Sequence, residues 1–210
     1  MTIAEFARAA AGLKTLKRAG WADKLSIADG ESVADHSYLT AIIGMILSDK
    51  IGLNSERVIR MALLHDLAES RIGDIVPGQI PSMEKMRIEN EAFADIVSAL
   101  PDALKLEYTH IWNELRAGVT PEARLVRQAD KLDMALQASI YEKTGRATGS
   151  DILPFVEAAK KSAADGAARN LFLEIVSARS HDCGCVGSSV GGHGAAGSND
   201  DSGAGNGSSV

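Results

Sequence analysis

Cysteine is almost missing from this chain: there are two in 210 residues, Cys183 and Cys185, both close to the C-terminus. Everything before them lacks the means to form a disulfide, which points to a reducing compartment. Positive charge is also short. Lys and Arg number 22 against 28 Asp and Glu, and the formal net charge of -6 argues against a nucleic-acid polymer as partner, since a phosphate backbone selects a basic footprint. A small phosphorylated substrate is not excluded, because it needs only one or two local cations. Apolar runs of membrane length are lacking, and Ala41–Leu47 is far too short to span a bilayer. The start, Met1-Thr-Ile-Ala-Glu-Phe, lacks the basic region and apolar stretch of a signal peptide. The expectation is a cytoplasmic protein with no membrane partner. Internal repeats and convincing strand patterns are absent as well.

What is present is ordinary for a globular protein: 45% hydrophobic and 24% charged residues, in a length that suits one core-forming domain. The chain divides near Ser180. Before it, apolar residues recur at three- and four-residue spacings. After it, residues 181–210 are mostly Gly, Ser, Ala and Asn, too poor in apolar surface to offset the entropy of ordering, so a disordered tail is expected. Within 1–180 the periodicity predicts helices over Ile3–Arg18, Ala34–Lys50, a segment from Asn54 or Ser55 to about Ser70, Glu84–Leu100, Asp102–Arg116, Thr120 to about Lys143, Ile152–Ser162 and Asp165–Arg179. Gly20 is read as an interruption leading into a loop to Glu31, and Pro77, Gly78 and Pro81 mark another loop. Thr120-Pro121 is a helix start, with Thr as cap and Pro at the first position. The fold class is therefore all-α, a single helical bundle over 1–180.

Three segments carry ligand-type residues inside apolar helical context. Arg60-Met-Ala-Leu-Leu-His-Asp-Leu-Ala-Glu places His65 and Asp66 within an apolar helix, and a carboxylate in such a place is usually paired or metal-bound. Ser32-Val-Ala-Asp-His-Ser-Tyr brings His36 into the first turn of another. Asp130 follows Val126 by four residues and precedes Met134 by four, so it lies along an apolar stripe. Two imidazoles and two carboxylates suit one divalent first-row cation, manganese or cobalt first, with iron, nickel, zinc and magnesium as alternatives. Glu69, four residues after His65, is placed as a proton-transferring acid or base, and Asp74 as an orienting carboxylate. Lys131 and Asp133 read as structural or solvated, and Glu84–Glu91 as a solvated face. His181, Cys183, Cys185 and His193 have no spacing that fits a closed metal site.

The order His36, His65-Asp66, Asp130 resembles the HD superfamily of metal-dependent phosphohydrolases. The blocks Leu16-Lys-Arg-Ala-Gly-Trp, Glu31-Ser-Val-Ala-Asp-His-Ser-Tyr, Leu63-Leu-His-Asp-Leu-Ala-Glu, Ile72-Gly-Asp-Ile, Trp112-Asn-Glu-Leu and Gln128-Ala-Asp-Lys-Leu-Asp-Met-Ala-Leu-Gln-Ala narrow it. Over roughly residues 8–160 they resemble the HD-domain 5'-deoxynucleotidases. The resemblance implies metal ligands at His36, His65, Asp66 and Asp130, catalytic roles for Glu69 and Asp74, and substrate contacts at Arg18, Trp21 and Ser32. In the bacterial members the arginine and tryptophan are adjacent, whereas here Ala19 and Gly20 separate them. It further implies deoxyribonucleoside 5'-monophosphates as substrates, and a homodimer. Cyclic-nucleotide hydrolases of the superfamily use extra histidines. His110 is the one other histidine before the tail and has no ligand neighbour, so one metal is expected. Hydrolysis of a phosphodiester or nucleoside triphosphate is the alternative on the same scaffold. A triphosphate calls for a second basic cluster beyond Arg18, and none is visible near the motifs. A non-catalytic HD binding module is the third reading.

Overall fold

The computed structural model describes residues 2–163 and 166–182. Among them are ten helices and no strand: α1 (Ile3–Gly12), α2 (Ala19–Leu25), α3 (Val33–Ile51), α4 (Ser55–Leu64), α5 (Glu69–Ile72), α6 (Ser82–Val97), α7 (Asp102–Ala117), α8 (Pro121–Lys143), α9 (Leu153–Ser162) and α10 (Gly166–Asp182). Cys183–Val210, expected to be disordered, lies outside the described residues. α10 runs two residues past the expected division at Ser180.

α3 is the central helix. It packs on α4, α8 and α10, and α8 in turn carries α4, α7, α9 and α10. A helix covered on several sides has apolar residues all round, as α3 does through Val33, Ala41, Ile43 and Leu47. Gly44 allows α3 to approach α4 closely, since a Cβ there would lie 2.8 Å from Val58 Cγ1. One core cluster joins residues from Ala9 to Ile175, with Trp21, Met61, Phe93, Ile111, Leu132 and Ile152 among its buried members.

Caps fix the helices that bear the ligands. Ser32 and Asp35 form a reciprocal capping box at the start of α3: the Ser32 side chain accepts from Asp35 N–H, and the Asp35 side chain accepts from Ser32 N–H. Asn54 caps α4 and Thr120 caps α8, with Pro121 following it as the spacing implies.

Two expected helices are corrected. The first stops at Gly12, because residues 16–18 pair with the segment before α3: Val33 N–H donates to Leu16 O at 2.9 Å, Arg18 N–H to Glu31 O at 3.1 Å, and Lys17 Nζ to Gly30 O at 2.8 Å. These long-range bonds override the helix propensity of Leu16-Lys-Arg. Gly20 is accordingly inside α2 rather than an interruption. The helix expected to run to Ser70 ends at Leu64, His65 through Ala68 form turns, and α5 begins at Glu69. No described helix is long and apolar enough to cross a membrane.

Candidate metal centre and active site

Four residues from three places converge. His36 comes from the first turn of α3, His65 and Asp66 from the turn after α4, and Asp130 from the middle of α8. His36 Nε2 lies 3.1 Å from His65 Nε2, 3.6 Å from Asp66 Oδ2 and 3.5 Å from Asp130 Oδ1, and His65 Nε2 is 3.2 Å from Asp66 Oδ2. The other nitrogen of each ring is already engaged. His65 Nδ1 is 2.6 Å from the Ala62 carbonyl, which can only accept, so that nitrogen carries a proton. His36 Nδ1 is 2.5 Å from Asp133 Oδ2. Both Nε2 atoms therefore face the two carboxylates. Burial, with Arg18 and His65 nearby, pushes the His36 imidazole down to about 3, so it is neutral at physiological pH. Burial works against the charge on Asp66, yet His65 and Arg18 outweigh it and hold that carboxyl below its ordinary range. His36, His65 and Asp66 offer two nitrogens and a carboxylate within 4.8 Å of one another, with Asp130 Oδ1 3.5 Å from His36 Nε2, and nitrogen with carboxylate is a donor set that fits a divalent cation.

Arg18 precedes α2 and reaches over this centre. Its Nη1 is 3.1 Å from Asp66 Oδ2, 3.8 Å from Glu69 Oε2 and 3.7 Å from Asp74 Oδ2. Burial opposes its charge, but Asp66, Asp74, Glu69 and Asp130 outweigh that and raise its pKa. Asp74 Oδ2 also accepts from Ala19 N–H at 2.8 Å, so it ties the Arg18 segment to the loop after α5. Glu69 is 4% exposed and its Oε2 has no hydrogen-bond partner. Burial, then Asp66 and Asp74, push its carboxyl up to about 10. A cavity of about 470 Å³ opens over His65, Asp66, Glu69, Asp74, Asp130 and Arg18, a size that suits a small ligand.

The arrangement agrees with what the chain is similar to. The sequence matches the HD domain family over residues 10–170. The chain belongs to the HD-domain family. It is 40% identical to the human 5'-deoxynucleotidase HDDC2 over 142 residues, 67% of this chain and 69% of that protein. Among solved structures it resembles the PH0347 protein of Pyrococcus horikoshii OT3, with a TM-score of 0.66 and 30% identity over 84% of this chain and 98% of that one. A predicted metal-dependent phosphohydrolase from Magnetospirillum magnetotacticum MS-1 gives a TM-score of 0.59 and 26% identity over 84% and 91% of the two chains. As an HD domain the protein is a metal-dependent phosphohydrolase.

Not every expected residue reaches the HD pocket. Trp21 does not: it is 1% exposed, lies against Phe155 at 4.5 Å and Tyr141 at 5.2 Å, and donates its indole N–H to Glu31 Oε1 at 2.9 Å. The two residues inserted after Arg18 put it at the third position of α2, on the face turned to the core. Ser32 is 2% exposed and its side chain is spent on the α3 cap with Asp35, away from the cavity lining. Neither Trp21 nor Ser32 lines the cavity.

Of the two readings given for Asp133, structural or solvated, the structure shows the first: it is fully buried, bound to His36 Nδ1 through Oδ2, while its Oδ1 has no hydrogen-bond partner. Burial, with Glu31 and Asp130 nearby, pushes its carboxyl up to about 9, and burial alone accounts for most of the rise of Glu31 to about 7. The signal was available: Asp133 follows Asp130 by three residues, hence shares its helix face, and Leu132 and Ala135 beside it are apolar.

The apparent lack of a second basic cluster is corrected as well, since the fold brings Lys24, Lys85, Arg116, Arg127 and Lys131 to the cavity wall. Each is engaged. Lys24 lies over the Phe155 ring, Lys85 bonds Ile75 O and approaches Glu89, Arg116 pairs with Glu89 at 2.8 Å, Arg127 bonds the Leu115 and Arg116 carbonyls, and Lys131 is 3.0 Å from Asp130. Glu89 is 8% exposed in that pairing, so it leaves the solvated face assigned to Glu84–Glu91.

Proposed function

We propose that this HD domain removes the 5'-phosphate from deoxyribonucleoside 5'-monophosphates, releasing the deoxynucleoside and orthophosphate. The observation that carries the reading is the convergence of His36, His65, Asp66 and Asp130 beneath a cavity whose wall also presents Glu69 and Arg18. The human relative's being a 5'-deoxynucleotidase supports the substrate class. One divalent cation, manganese or cobalt in first place, would be held by those four residues and would supply a Lewis acid to the phosphoryl group.

The chain's own groups divide the remaining work. Arg18 presents a guanidinium, kept charged by its carboxylate neighbours, to the phosphoryl oxygens. Asp74 holds the Arg18 segment in place through Ala19 N–H. Glu69, buried beside Asp66 and Asp74 with its Oε2 open, gives a proton to the leaving 5'-oxygen as the phosphorus–oxygen bond breaks. Water supplies the oxygen that joins phosphorus, and its proton returns the carboxyl to its starting state. Val126, Met134 and Phe155 line the same cavity and offer apolar surface to the sugar and base.

The further cations on the cavity wall make a triphosphate the alternative substrate from which a monophosphate must be separated. Chromatography of the products from a deoxynucleoside monophosphate, a triphosphate and a phosphodiester tests the proposal. Orthophosphate and nucleoside from the monophosphate are expected, and pyrophosphate or inorganic triphosphate from the triphosphate as the main activity would overturn it. The proposal extends to a homodimer, supported by the family resemblance, and to a reducing cytoplasmic setting, supported by the lack of cysteine before residue 183.

A further inference from the structure

The buried groups on the far side of His36 form a second layer that faces no substrate. Asp133, from the face of α8 that also bears Asp130, is 0% exposed and meets His36 Nδ1 at 2.5 Å. Glu31 lies in the same interior space, its carboxylate, the His36 ring nitrogen and the Asp133 carboxylate all within 4.8 Å of one another. Glu31 is itself anchored twice. Trp21 Nε1 donates to its Oε1 at 2.9 Å, and its backbone N–H donates to the Tyr141 hydroxyl at 2.8 Å.

The imidazole of His36 has two nitrogens and, when neutral, one proton. If Nε2 faces a cation it carries no proton, so the proton must be on Nδ1 and Asp133 must accept it. His65 solves the same problem with a main-chain carbonyl, from Ala62, that no substitution can remove. His36 has only a side chain for this purpose. A bond between two fully buried partners also fixes the plane of the ring, and hence the direction of the Nε2 lone pair.

We propose that Asp133 is a positioning residue for the metal centre: it holds His36 in the Nδ1–H tautomer with Nε2 aimed at the cation, and Glu31, held by Trp21, lies within 4.8 Å behind it. This rests on the reading of His36 as a metal ligand. It assigns Trp21 to the support of the centre and leaves substrate contact to Arg18 and the cavity wall.

The test uses Co²⁺ as probe on the full chain. Binding is followed by visible absorption of the bound ion, and the fold of each metal-free variant is checked by circular dichroism. Asp133→Ala is expected to weaken Co²⁺ binding roughly 10- to 100-fold and to change the absorption bands. Asp133→Asn keeps an oxygen that accepts from Nδ1–H, so it is expected to retain most of the affinity and the bands. In Zn²⁺-loaded, nitrogen-labelled protein, an exchange-protected Nδ1–H signal from His36 is expected in the wild type and in Asp133→Asn, and not in Asp133→Ala. A merely structural Asp133 would leave bands and tautomer unchanged in every folded variant, and that result would overturn the inference. Should Asp133→Ala fail to fold, loss of the Nδ1–H signal in folded wild-type protein, with Nε2–H in its place, would overturn it equally. Wild-type protein that takes up no Co²⁺ would overturn the metal site itself, and the inference with it.

Discussion

Glu69 carries a carboxyl oxygen that is buried, without a hydrogen-bond partner, and 3.8 Å from Arg18 Nη1. A buried polar atom left open costs stability, and it is retained where another molecule completes it. Replacing Glu69 by Ala is expected to lower kcat by roughly 10²- to 10⁴-fold while Co²⁺ affinity changes only slightly, since Glu69 is not among the four ligands. Full activity in metal-loaded Glu69→Ala would remove it from the chemistry. Trp21 gives the opposite expectation. Trp21→Phe keeps a ring against Phe155 and Tyr141 but deprives Glu31 of the indole donor, so it is expected to cost about 1–3 kcal/mol of stability in urea unfolding, with KM for a 5'-mononucleotide within twofold of wild type. A large rise in KM at unchanged stability would restore Trp21 to the substrate. Asp130 was legible because a carboxylate on the stripe of Val126 and Met134 is anomalous by itself. Asp133 was legible as an inward-facing residue from its place three after Asp130, but its partner was not, since only the packing of α3 on α8 shows what that face meets. The inward direction of Trp21 was not legible, because a resemblance in sequence carries no information on which side of the seven-residue α2 two intervening residues turn a side chain.

At the scale of elements, the caps and the apolar periodicity made α3, α7, α8 and the start of α4 legible to within a few residues, because their signals are local. The ends that escaped were decided by distant partners. Residues 16–18 are extended by the segment before α3, and the turn after Leu64 swings His65 and Asp66 under Arg18 instead of continuing the helix. The close crossing of α3 and α4 ties His36 to His65, and Gly44 permits it. Gly44→Ala is expected to destabilise the fold by about 1–3 kcal/mol, because the new methyl must displace Val58, a fully buried residue. Urea unfolding measures this, and a neutral or stabilising result would mean that α3 and α4 are free to separate.

The whole molecule is built around an excess of buried acid, and its stability should follow pH accordingly. In the metal-free protein, burial holds Asp133 up to about 9 and Glu69 up to about 10, and neighbouring Asp66 raises His65 against the effect of its own burial. Each of these groups binds its proton more tightly folded than unfolded. Their contribution is complete below the unfolded values and is lost as pH rises through the folded ones. His36 works the other way, but its ordinary value is 6.5 and its folded value about 3, so its effect is confined to lower pH. Asp66 and Asp130, held below the usual carboxylate range, matter only in acid. Between pH 7 and 9.5 the Tm of chelated protein is therefore expected to fall. Cations bind the deprotonated ligands, so the rise in Tm on adding Mn²⁺ or Co²⁺ is expected to grow across the same window. A metal-free Tm that climbs with pH would contradict the arrangement of carboxyls described here.

The central claim is that one metal centre and one acid act on a small phosphate ester. Its most direct test is orthophosphate release from a panel of 5'-mononucleotides, deoxy and ribo, after chelation and after re-addition of Mn²⁺, Co²⁺, Mg²⁺ or Zn²⁺. Release is expected only with metal restored, with Mn²⁺ or Co²⁺ most effective and the deoxy set preferred. No release from any monophosphate by protein that demonstrably holds its metal would contradict the proposed activity while leaving the HD domain and its ligands in place.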